Sequence, residues 1–167
     1  VDIEVEPLAG ERLLGDRYRL IDELGEGSSA RVWLATDVLL DRQVAVKVMR
    51  EGAASFGQAD NAARFLREAR VMASIEHPCV VSVLDFGTHD ESAYLVMPFL
   101  QGPTLADAYE SNLPPVDDAV TIVSKLLSGL AAVHEAGVVH RDLKPENIVL
   151  VEHDGDVVPL EQVVRRD

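Results

Sequence analysis

The sequence has a single cysteine, Cys79, and no long run of uncharged apolar residues. One cysteine excludes a disulfide within the chain and is usual in reducing compartments. The longest apolar stretch, residues 119–133, contains Lys125 and is shorter than the roughly 18 uncharged residues that a helix needs to cross a bilayer. The first residues also lack the basic start and apolar segment of a signal peptide. We therefore expect a cytoplasmic protein with no membrane segment in this chain.

Basic residues are also scarce, since 15 Lys and Arg stand against 29 Asp and Glu and the formal net charge is −14. Nucleic-acid binding needs a basic surface that displaces counterions, so this charge argues against a nucleic-acid partner. It equally argues against adhesion to anionic lipid. Hydrophobic residues make up 47% of the chain, which is enough to bury a core and excludes global disorder.

The apolar pattern predicts strands in the first half of the chain. Strand-like alternation begins at Tyr18, and Val-rich strands are predicted over residues 31–36 and 43–49. A further strand pair is predicted over residues 80–86 and 93–97, around a polar turn.

Two helices interrupt and follow these strands. The first is predicted from a cap at Asp60 to about Ser74, where apolar residues recur at spacings of three and four. The second begins at Asp117 or Asp118 and ends before Gly137. One face of this helix is predicted to carry Val120, Val123, Leu127, Leu130 and His134. The order of elements indicates an α+β fold with two lobes.

A glycine-rich segment, residues 25–32, lies between the first two predicted strands and reads Gly-Glu-Gly-Ser-Ser-Ala-Arg-Val. Glycine lets the backbone approach a phosphate with no side chain in between. The position of a third glycine is taken by Ala30. An ordinary hairpin turn would explain the same residues, so this segment alone leaves both interpretations open.

Residues 139–150 read Val-His-Arg-Asp-Leu-Lys-Pro-Glu-Asn-Ile-Val-Leu. Through the polar run of this stretch and the apolar strand after it, the chain resembles the eukaryotic-type (Hanks-type) protein kinases. Lys144, two residues after Asp142, resembles the serine/threonine branch, and residues 18–150 are similar to its bacterial members. The resemblance implies ATP-dependent phosphoryl transfer to Ser or Thr of protein substrates, with Mg²⁺ as cofactor. It also implies a protein-kinase-like α+β fold, with an N-lobe of antiparallel strands and one main helix, and the start of a helical C-lobe.

The resemblance also divides the chain. It implies an acidic leader over residues 1–17, an N-lobe over 18–97, a hinge over 98–102, the start of the C-lobe with the catalytic loop over 103–150, and a divergent tail over 151–167.

The resemblance further implies a role for individual residues. In the catalytic loop, Asp142 would accept the proton of the substrate hydroxyl, Lys144 would lie beside the transferring phosphoryl group and Asn147 would bind Mg²⁺. The residues expected to bind ATP are Leu24, Gly25, Glu26, Gly27, Ser28, Ser29, Ala30, Val32, Ala45, Lys47, Glu68, Met97, Pro98 and Leu100.

Two of these assignments have plain alternatives. Lys47 would bind the α- and β-phosphates, and strand alternation places it on the same face as Ala45. A solvated lysine at a strand edge is the alternative. Glu68 would pair with Lys47, but an ordinary surface glutamate would fit the same helix. Met97 would be the gatekeeper, and Pro98 and Leu100 would bond the adenine edge through their backbone.

The resemblance stops before the Asp-Phe-Gly motif, whose aspartate holds the main metal ion in the family, and we expect a chain truncated at that point. Asp154-Gly155 is expected to form a hairpin turn, and Pro159 is expected to break the returning strand. Asp156 is an alternative metal ligand. Loss of the usual metal ligand would cost about 10³-fold or more in rate.

Three hypotheses therefore stand together. The chain is a serine/threonine kinase domain with an incomplete C-lobe, a catalytically inactive kinase-like fragment that acts as a nucleotide-binding or protein-interaction module, or a truncated or frame-shifted reading of a complete kinase gene. The second predicted helix would leave an apolar side uncovered, which predicts aggregation or a partner that covers it.

Overall fold

The computed structural model describes residues 13–27, 30–49, 58–90, 92–110, 112–139, 143–153 and 156–161. Within these ranges only the backbone is described at residues 58–64, 68, 152, 153 and 156–161.

A six-stranded antiparallel sheet forms the first half of the fold. Its strands are β1 Leu13–Leu14, β2 Tyr18–Glu26, β3 Ala30–Asp37, β4 Arg42–Met49, β5 Asp85–His89 and β6 Ser92–Pro98, in the order β1-β2-β3-β4-β6-β5. The central strands are rich in valine, and Val44, Val46 and Val96 are fully buried. Such β-branched side chains pack well on a pleated surface. β1 lies within the segment that the sequence assigned to the acidic leader.

The two faces of β4 belong to different apolar clusters, as strand alternation requires. Val44 and Val46 pack with Tyr18 and Tyr94 on one face. Ala45 packs on the other face with residues of β6 and of helix α1, Gln58–Ala73, which contributes Ala69. The helix therefore covers one side of the sheet.

The described residues after β6 form two α-helices, a 3₁₀ turn and a hairpin. They are α2 Leu105–Ala108, α3 Val116–Glu135, a 3₁₀ turn at Pro145–Asn147, β7 Ile148–His153 and β8 Asp156–Glu161. α3 buries Ile122 and Leu126 against Ile148 and Leu150 of β7. The C-terminal end of α3 contacts the first half of the fold, because Val133 packs against residues of the loop that follows α1. Gly137, with φ +76, follows α3 as the sequence predicted.

The predicted strand over residues 80–86 is wrong for most of its length. β5 begins only at Asp85 and runs to His89, through residues that were expected to turn. Val80 and Val81 are buried against α3 and α1 respectively. These valines are therefore apolar because they are buried against helices. In so short an apolar run, periodicity does not distinguish such a buried segment from a strand.

The predicted start of α1 is also wrong by two residues. The backbone is already helical at Gln58, so Asp60 lies in the first turn and does not cap the helix. Gln58 and Ala59 are good helix formers, which accounts for the earlier start.

The apolar stripe that the sequence indicates on one face of α3 is largely exposed. Val120, Val123 and Leu127 are 63%, 52% and 58% exposed. The buried residues are Ile122, Leu126, Gly129 and Val133. Both sets recur at helical spacing, and the sequence does not reveal which of them meets β7.

The expected hairpin is present, since β7 and β8 pair antiparallel; its turn, Asp154-Gly155, lies outside the described residues. Pro159 does not break the returning strand, because it pairs with Leu150 inside β8. The hairpin is a two-stranded sheet, so both strands are edges. Edge strands tolerate proline, whose missing N–H can face away from the ladder.

Candidate active site

Three neighbouring strands bring the central residues of the predicted ATP site together. β3 pairs with β4 so that Val32 lies opposite Lys47, and β4 pairs with β6 so that Ala45 lies opposite Met97. Directly opposed residues of antiparallel strands share one face of the sheet. The register therefore places all four side chains on the face that α1 covers.

An apolar cluster forms on this face around Ala45 and Met97, which are each 3% exposed. Val32 and Leu100 pack against it and are partly buried. Four of the predicted ATP-binding residues thus lie in one cluster. Leu24 does not belong to it, because its side chain lies on β2 and is 47% exposed. Pro98 ends β6 opposite Val44.

Lys47 is 4% exposed, which is unusual for a lysine. It lies on β4, between β3 and β6, and not at an edge of the sheet. The interpretation as a solvated lysine at a strand edge is therefore wrong. Burying an ammonium group is costly unless an opposite charge or hydrogen-bonding groups accompany it. A buried cation beside an apolar cluster suits a ligand with an apolar ring and an anionic tail.

The glycine-rich segment is the turn between β2 and β3. The Gly27 N–H donates to the Ala30 carbonyl at 2.9 Å, and Gly25 lies opposite Val32. A Cβ placed on Gly25 would meet no atom within 4 Å, so packing does not require glycine there. A hairpin turn and a phosphate-binding loop would both have this geometry. Ser28 and Ser29 lie outside the described residues.

The catalytic-loop residues lie just before β7. Asn147 ends the 3₁₀ turn, and its N–H donates to the Lys144 carbonyl at 2.9 Å. Both side chains are half-buried. Asp142 lies outside the described residues, and so does the side chain of Glu68. Within the part of the chain that the structure describes, no group of three or more His, Cys, Asp or Glu residues could hold a metal ion.

The last residue of the predicted hinge and the two residues after it contact β7 through the backbone. The Leu150 N–H donates to the Pro103 carbonyl at 2.9 Å, and Thr104 forms a bridge with Val149. Gly102 lies directly against the Leu150 carbonyl. These contacts fix the strand that follows Asn147 relative to the segment that follows Leu100.

The sequence missed one residue beside the site. Leu95 is 3% exposed, lies opposite Lys47 and belongs to the same cluster as Met97. Strand alternation from Met97 would have predicted it, because residues two apart share a face.

The sequence also missed a polar network on the other face of the sheet. Arg17 forms ion pairs with Asp37 and Asp85, and the Tyr18 hydroxyl donates to Asp85 Oδ2 at 2.5 Å. The pKa of Tyr18 is raised mainly by burial and, to a smaller extent, by the hydrogen bond to Asp85. The Tyr18 and Tyr94 rings meet edge to face with centroids 6.1 Å apart. These partners are far apart in sequence, and no local pattern indicates them.

A hydrogen-bonded histidine links the loop after α1 to α3. The Cys79 N–H donates to His77 Nδ1 at 3.1 Å, so Nδ1 carries no proton there. In the neutral ring Nε2 then carries the proton and donates to Ser128 Oγ at 3.0 Å. Burial raises the pKa of the neighbouring Cys79 thiol.

In the part of the chain that the structure describes, no helix has the length and apolar character needed to span a bilayer.

The sequence of this chain is similar to those of known protein kinases. The protein kinase domain family matches residues 18–160. The chain is 41% identical over 138 residues to serine/threonine-protein kinase pkn2 of Myxococcus xanthus, covering 83% of this chain and 16% of that protein. It is 39% identical over 151 residues to serine/threonine-protein kinase PrkC of Bacillus subtilis, covering 90% of this chain and 23% of that protein.

A solved structure, the PknI kinase domain of Mycobacterium tuberculosis, superposes with a TM-score of 0.70 at 29% identity. The superposition covers 87% of this chain and 58% of that domain. The chain thus spans less than two thirds of that domain and less than a quarter of the two kinases named above. The α+β architecture predicted from the sequence is that of a kinase N-lobe followed by the first elements of a C-lobe. The chain therefore belongs to the Hanks-type protein kinase family, alongside bacterial serine/threonine kinases.

Proposed function

We propose that this chain carries the ATP-binding part of a serine/threonine protein kinase. The single observation that supports this most strongly is the burial of Lys47 beside the apolar cluster of Ala45 and Met97. The cluster suits the adenine ring, which needs an apolar pocket with a few backbone polar groups. Lys47 would bind the α- and β-phosphates as a fixed cation. Gly25, which packing does not require to be glycine, would let the backbone approach the phosphates.

The remaining roles are proposed from the catalytic loop. Asp142 would accept the proton of the substrate hydroxyl while the hydroxyl oxygen bonds to the γ-phosphorus, and the bond from that phosphorus to the bridging oxygen would break to release ADP. Lys144 would balance negative charge on the transferring group. Asn147 offers an amide oxygen, a ligand type that suits Mg²⁺ when ATP phosphates and water supply the others. Bound Mg²⁺ would neutralise charge on the phosphates.

Nucleotide binding is tested first with two lysine variants. Isothermal titration with ATP and Mg²⁺ should give binding for the wild type, at least a tenfold loss for Lys47→Met, and unchanged binding for Lys125→Met. Lys125 lies on α3 and its replacement removes the same charge, which makes it the matched control. Equal affinity of the Lys47→Met variant and the wild type would contradict the proposal, provided that both unfold at the same temperature.

Phosphoryl transfer is tested separately. Asp142→Asn should abolish incorporation of labelled phosphate into a generic Ser/Thr protein substrate and leave ATP binding unchanged. Residual labelling at the wild-type rate would exclude Asp142 as the proton acceptor.

A second candidate is favoured by the exposed face of α3. Val120, Val123 and Leu127 on this helix, with Leu113 and Val116 before and at its start, are all more than half exposed. A contiguous apolar face of this kind marks an interaction surface. The chain would then act as a catalytically inactive protein-interaction module, with a partner that covers α3. Folded wild-type protein that shows no thermal shift at millimolar ATP would favour this candidate over the first.

A further inference from the structure

The loop that follows α1 contains a tight turn whose first side chain folds back over it. The Val80 N–H donates to the His77 carbonyl at 3.0 Å, which closes a four-residue turn with Pro78 at its second position. Proline at this position fixes the backbone in advance. The Cys79 N–H, at the third position, donates to His77 Nδ1 at 3.1 Å. The imidazole thus supplies an acceptor two residues along the chain, as Asn and Asp side chains do in Asx turns.

The same ring also reaches α3. His77 Nε2 lies 3.0 Å from Ser128 Oγ. The next residue of the helix, Gly129, is buried, and a Cβ placed on it would come within 3.3 Å of Cys79 and of Val80. The turn and the helix therefore approach each other closely where the imidazole joins them. A change in the charge of the ring would act directly on this contact between the two halves of the fold.

Only a ring without a proton on Nδ1 fits this arrangement. A histidine cation carries a proton on both nitrogens and accepts no hydrogen bond. Protonation of His77 would therefore remove the acceptor of the Cys79 N–H, and Cys79 is only 4% exposed. A buried N–H that loses its acceptor destabilises the state that contains it. Histidine is the side chain whose charge ordinarily changes between pH 5 and 8, so this loss falls within a physiological range.

Charged residues on the three elements that meet at the turn act in opposite directions on the ring. Glu76, exposed in the loop, would favour the cation, whereas Arg70 in the last turn of α1 and Lys125 on α3 would oppose it. Burial raises the pKa of the Cys79 thiol, which is therefore neutral beside the ring, and Lys125 is near enough to oppose that rise. Since these charges partly cancel, the hydrogen bond to Nδ1 decides the direction of the effect.

We infer that His77 forms a pH-sensitive contact, which fastens the loop after α1 to α3 while its ring is neutral and weakens when the ring is protonated. The contact joins the half of the fold that contains the sheet to the half that contains α3 and β7. It requires no nucleotide, so it stands apart from the proposed binding of ATP. The two halves should cohere less strongly at pH 5.5 than at pH 7.5.

Urea unfolding of the full chain without nucleotide tests the contact at these two pH values. His77→Asn keeps an oxygen that can accept from the N–H two residues on, and it cannot become charged. Acidification should raise the equilibrium constant of unfolding about 5- to 30-fold more in the wild type than in His77→Asn, the factor that one lost buried hydrogen bond can give.

His134→Gln is the matched control. It removes another histidine, at an exposed position in the last turn of α3. A protonated histidine is favourable near the C-terminus of a helix, so this variant should lose at least as much stability on acidification as the wild type. A smaller loss in His134→Gln, of the size seen in His77→Asn, would mean that the response does not belong to His77.

Two measurements by nuclear magnetic resonance examine the turn itself. Amide hydrogen exchange at Cys79, corrected for the intrinsic effect of pH, should become at least about fivefold faster at pH 5.5 in the wild type and not in His77→Asn. In the wild type alone, the Cys79 amide signal should shift with the same midpoint as the His77 ring.

Each outcome bears on the inference. Equal acid responses of the wild type and His77→Asn would overturn it, and so would unchanged exchange at the Cys79 amide. If His77→Asn fails to fold, the wild-type titration decides, because a ring that gains its proton without moving the Cys79 signal is not bonded to it. A chain that binds no ATP but shows these responses would contradict the proposed function and leave the contact in place.

Discussion

The guanidinium of Arg17 donates to both carboxylate oxygens of Asp37, with Nε–Oδ1 and Nη2–Oδ2 distances of 2.8 Å. Nη1 of the same group lies 3.2 Å from Asp85 Oδ2 on β5. Asp37 is fully buried at the end of β3, and Arg17 stands immediately before β2. A bidentate pair of this kind is both strong and specific in geometry. Together with the contact to Asp85, this pair links the start of β2 to β3 and β5 on the face of the sheet opposite the candidate ATP site.

Asp37→Asn is therefore expected to destabilise the fold. The substitution removes the charge of a buried carboxylate that accepts two hydrogen bonds from Arg17 and one from the Leu39 N–H, so we expect the free energy of unfolding to fall by about 2–3 kcal/mol. Urea unfolding followed by circular dichroism measures this change. Asp22→Asn, at an exposed position of β2, is the control and should change it by about 0.5 kcal/mol or less. Similar losses for the two variants would contradict the assignment.

The same ion pair predicts a dependence of stability on pH. The hydrogen bonds from Arg17, aided by its charge, hold the pKa of Asp37 below its usual value of 3.8. A carboxyl group whose pKa falls on folding stabilises the folded state above the pKa of the unfolded chain, and this stabilisation is lost as pH falls through the folded pKa. We therefore expect the contribution of Asp37 to be constant above about pH 5 and to decline below about pH 4.

Unfolding measured between pH 7 and pH 3 tests this expectation. Asp37→Asn has no carboxyl group at this position, so its free energy of unfolding should depend less steeply on pH below pH 4 than that of the wild type. Parallel curves for the two proteins would show that Asp37 does not carry the effect.

Two adjacent leucines test the orientation of α3. Leu126 is 9% exposed and packs against Ile148 and Leu150, whereas Leu127 is 58% exposed. Leu126→Ala should lower the free energy of unfolding by about 2–4 kcal/mol because it leaves a cavity. Leu127→Ala should change it by about 0.5 kcal/mol or less. Chemical denaturation distinguishes them, and equal losses would mean that the Leu127 face is covered in solution.

Gly102 is expected to be intolerant of any side chain. A Cβ at this position would overlap the Leu150 carbonyl oxygen, which belongs to the backbone and cannot rotate away. Gly102→Ala should therefore separate the hinge from β7 and cost about 1–3 kcal/mol, the range seen for overpacked sites. Gln101→Ala, at the exposed neighbouring position, is the control. Thermal unfolding checks both variants, and coincident midpoints would refute the clash.

Local pattern predicted the parts of the fold that depend on neighbouring residues. It predicted β3, β4, the extent of α3 and the shared face of Ala45 and Lys47, because hydrophobic periodicity and helix capping depend on residues only a few positions apart. It did not predict the buried face of α3, where two apolar stripes have the same spacing. Nor did it predict the pairing of Arg17 with Asp85, 68 residues away, because only the folded sheet brings them together.

The candidate site shows the same division. Alternation predicted the face of Lys47, but its depth of burial depends on β6 and α1, which arrive from later in the chain. The roles of Asp142, Glu68 and Asn147 came from the resemblance to kinases and remain predictions. The same alternation argument would have identified Leu95, but this residue belongs to none of the motifs that indicated the site.

The strand order also has a consequence for how the chain folds. Four of the five neighbouring strand pairs join consecutive strands, and such hairpins form in about 1–10 μs. Among the strand pairs described, only that of β4 with β6 must close a long loop, which contains α1 and β5, so we expect this pairing to be the slow step in assembling the sheet. Ala45 meets Met97 across this pairing. The proposed adenine pocket would therefore be completed last, and a nucleotide that binds there would capture the newly closed sheet and slow its reopening.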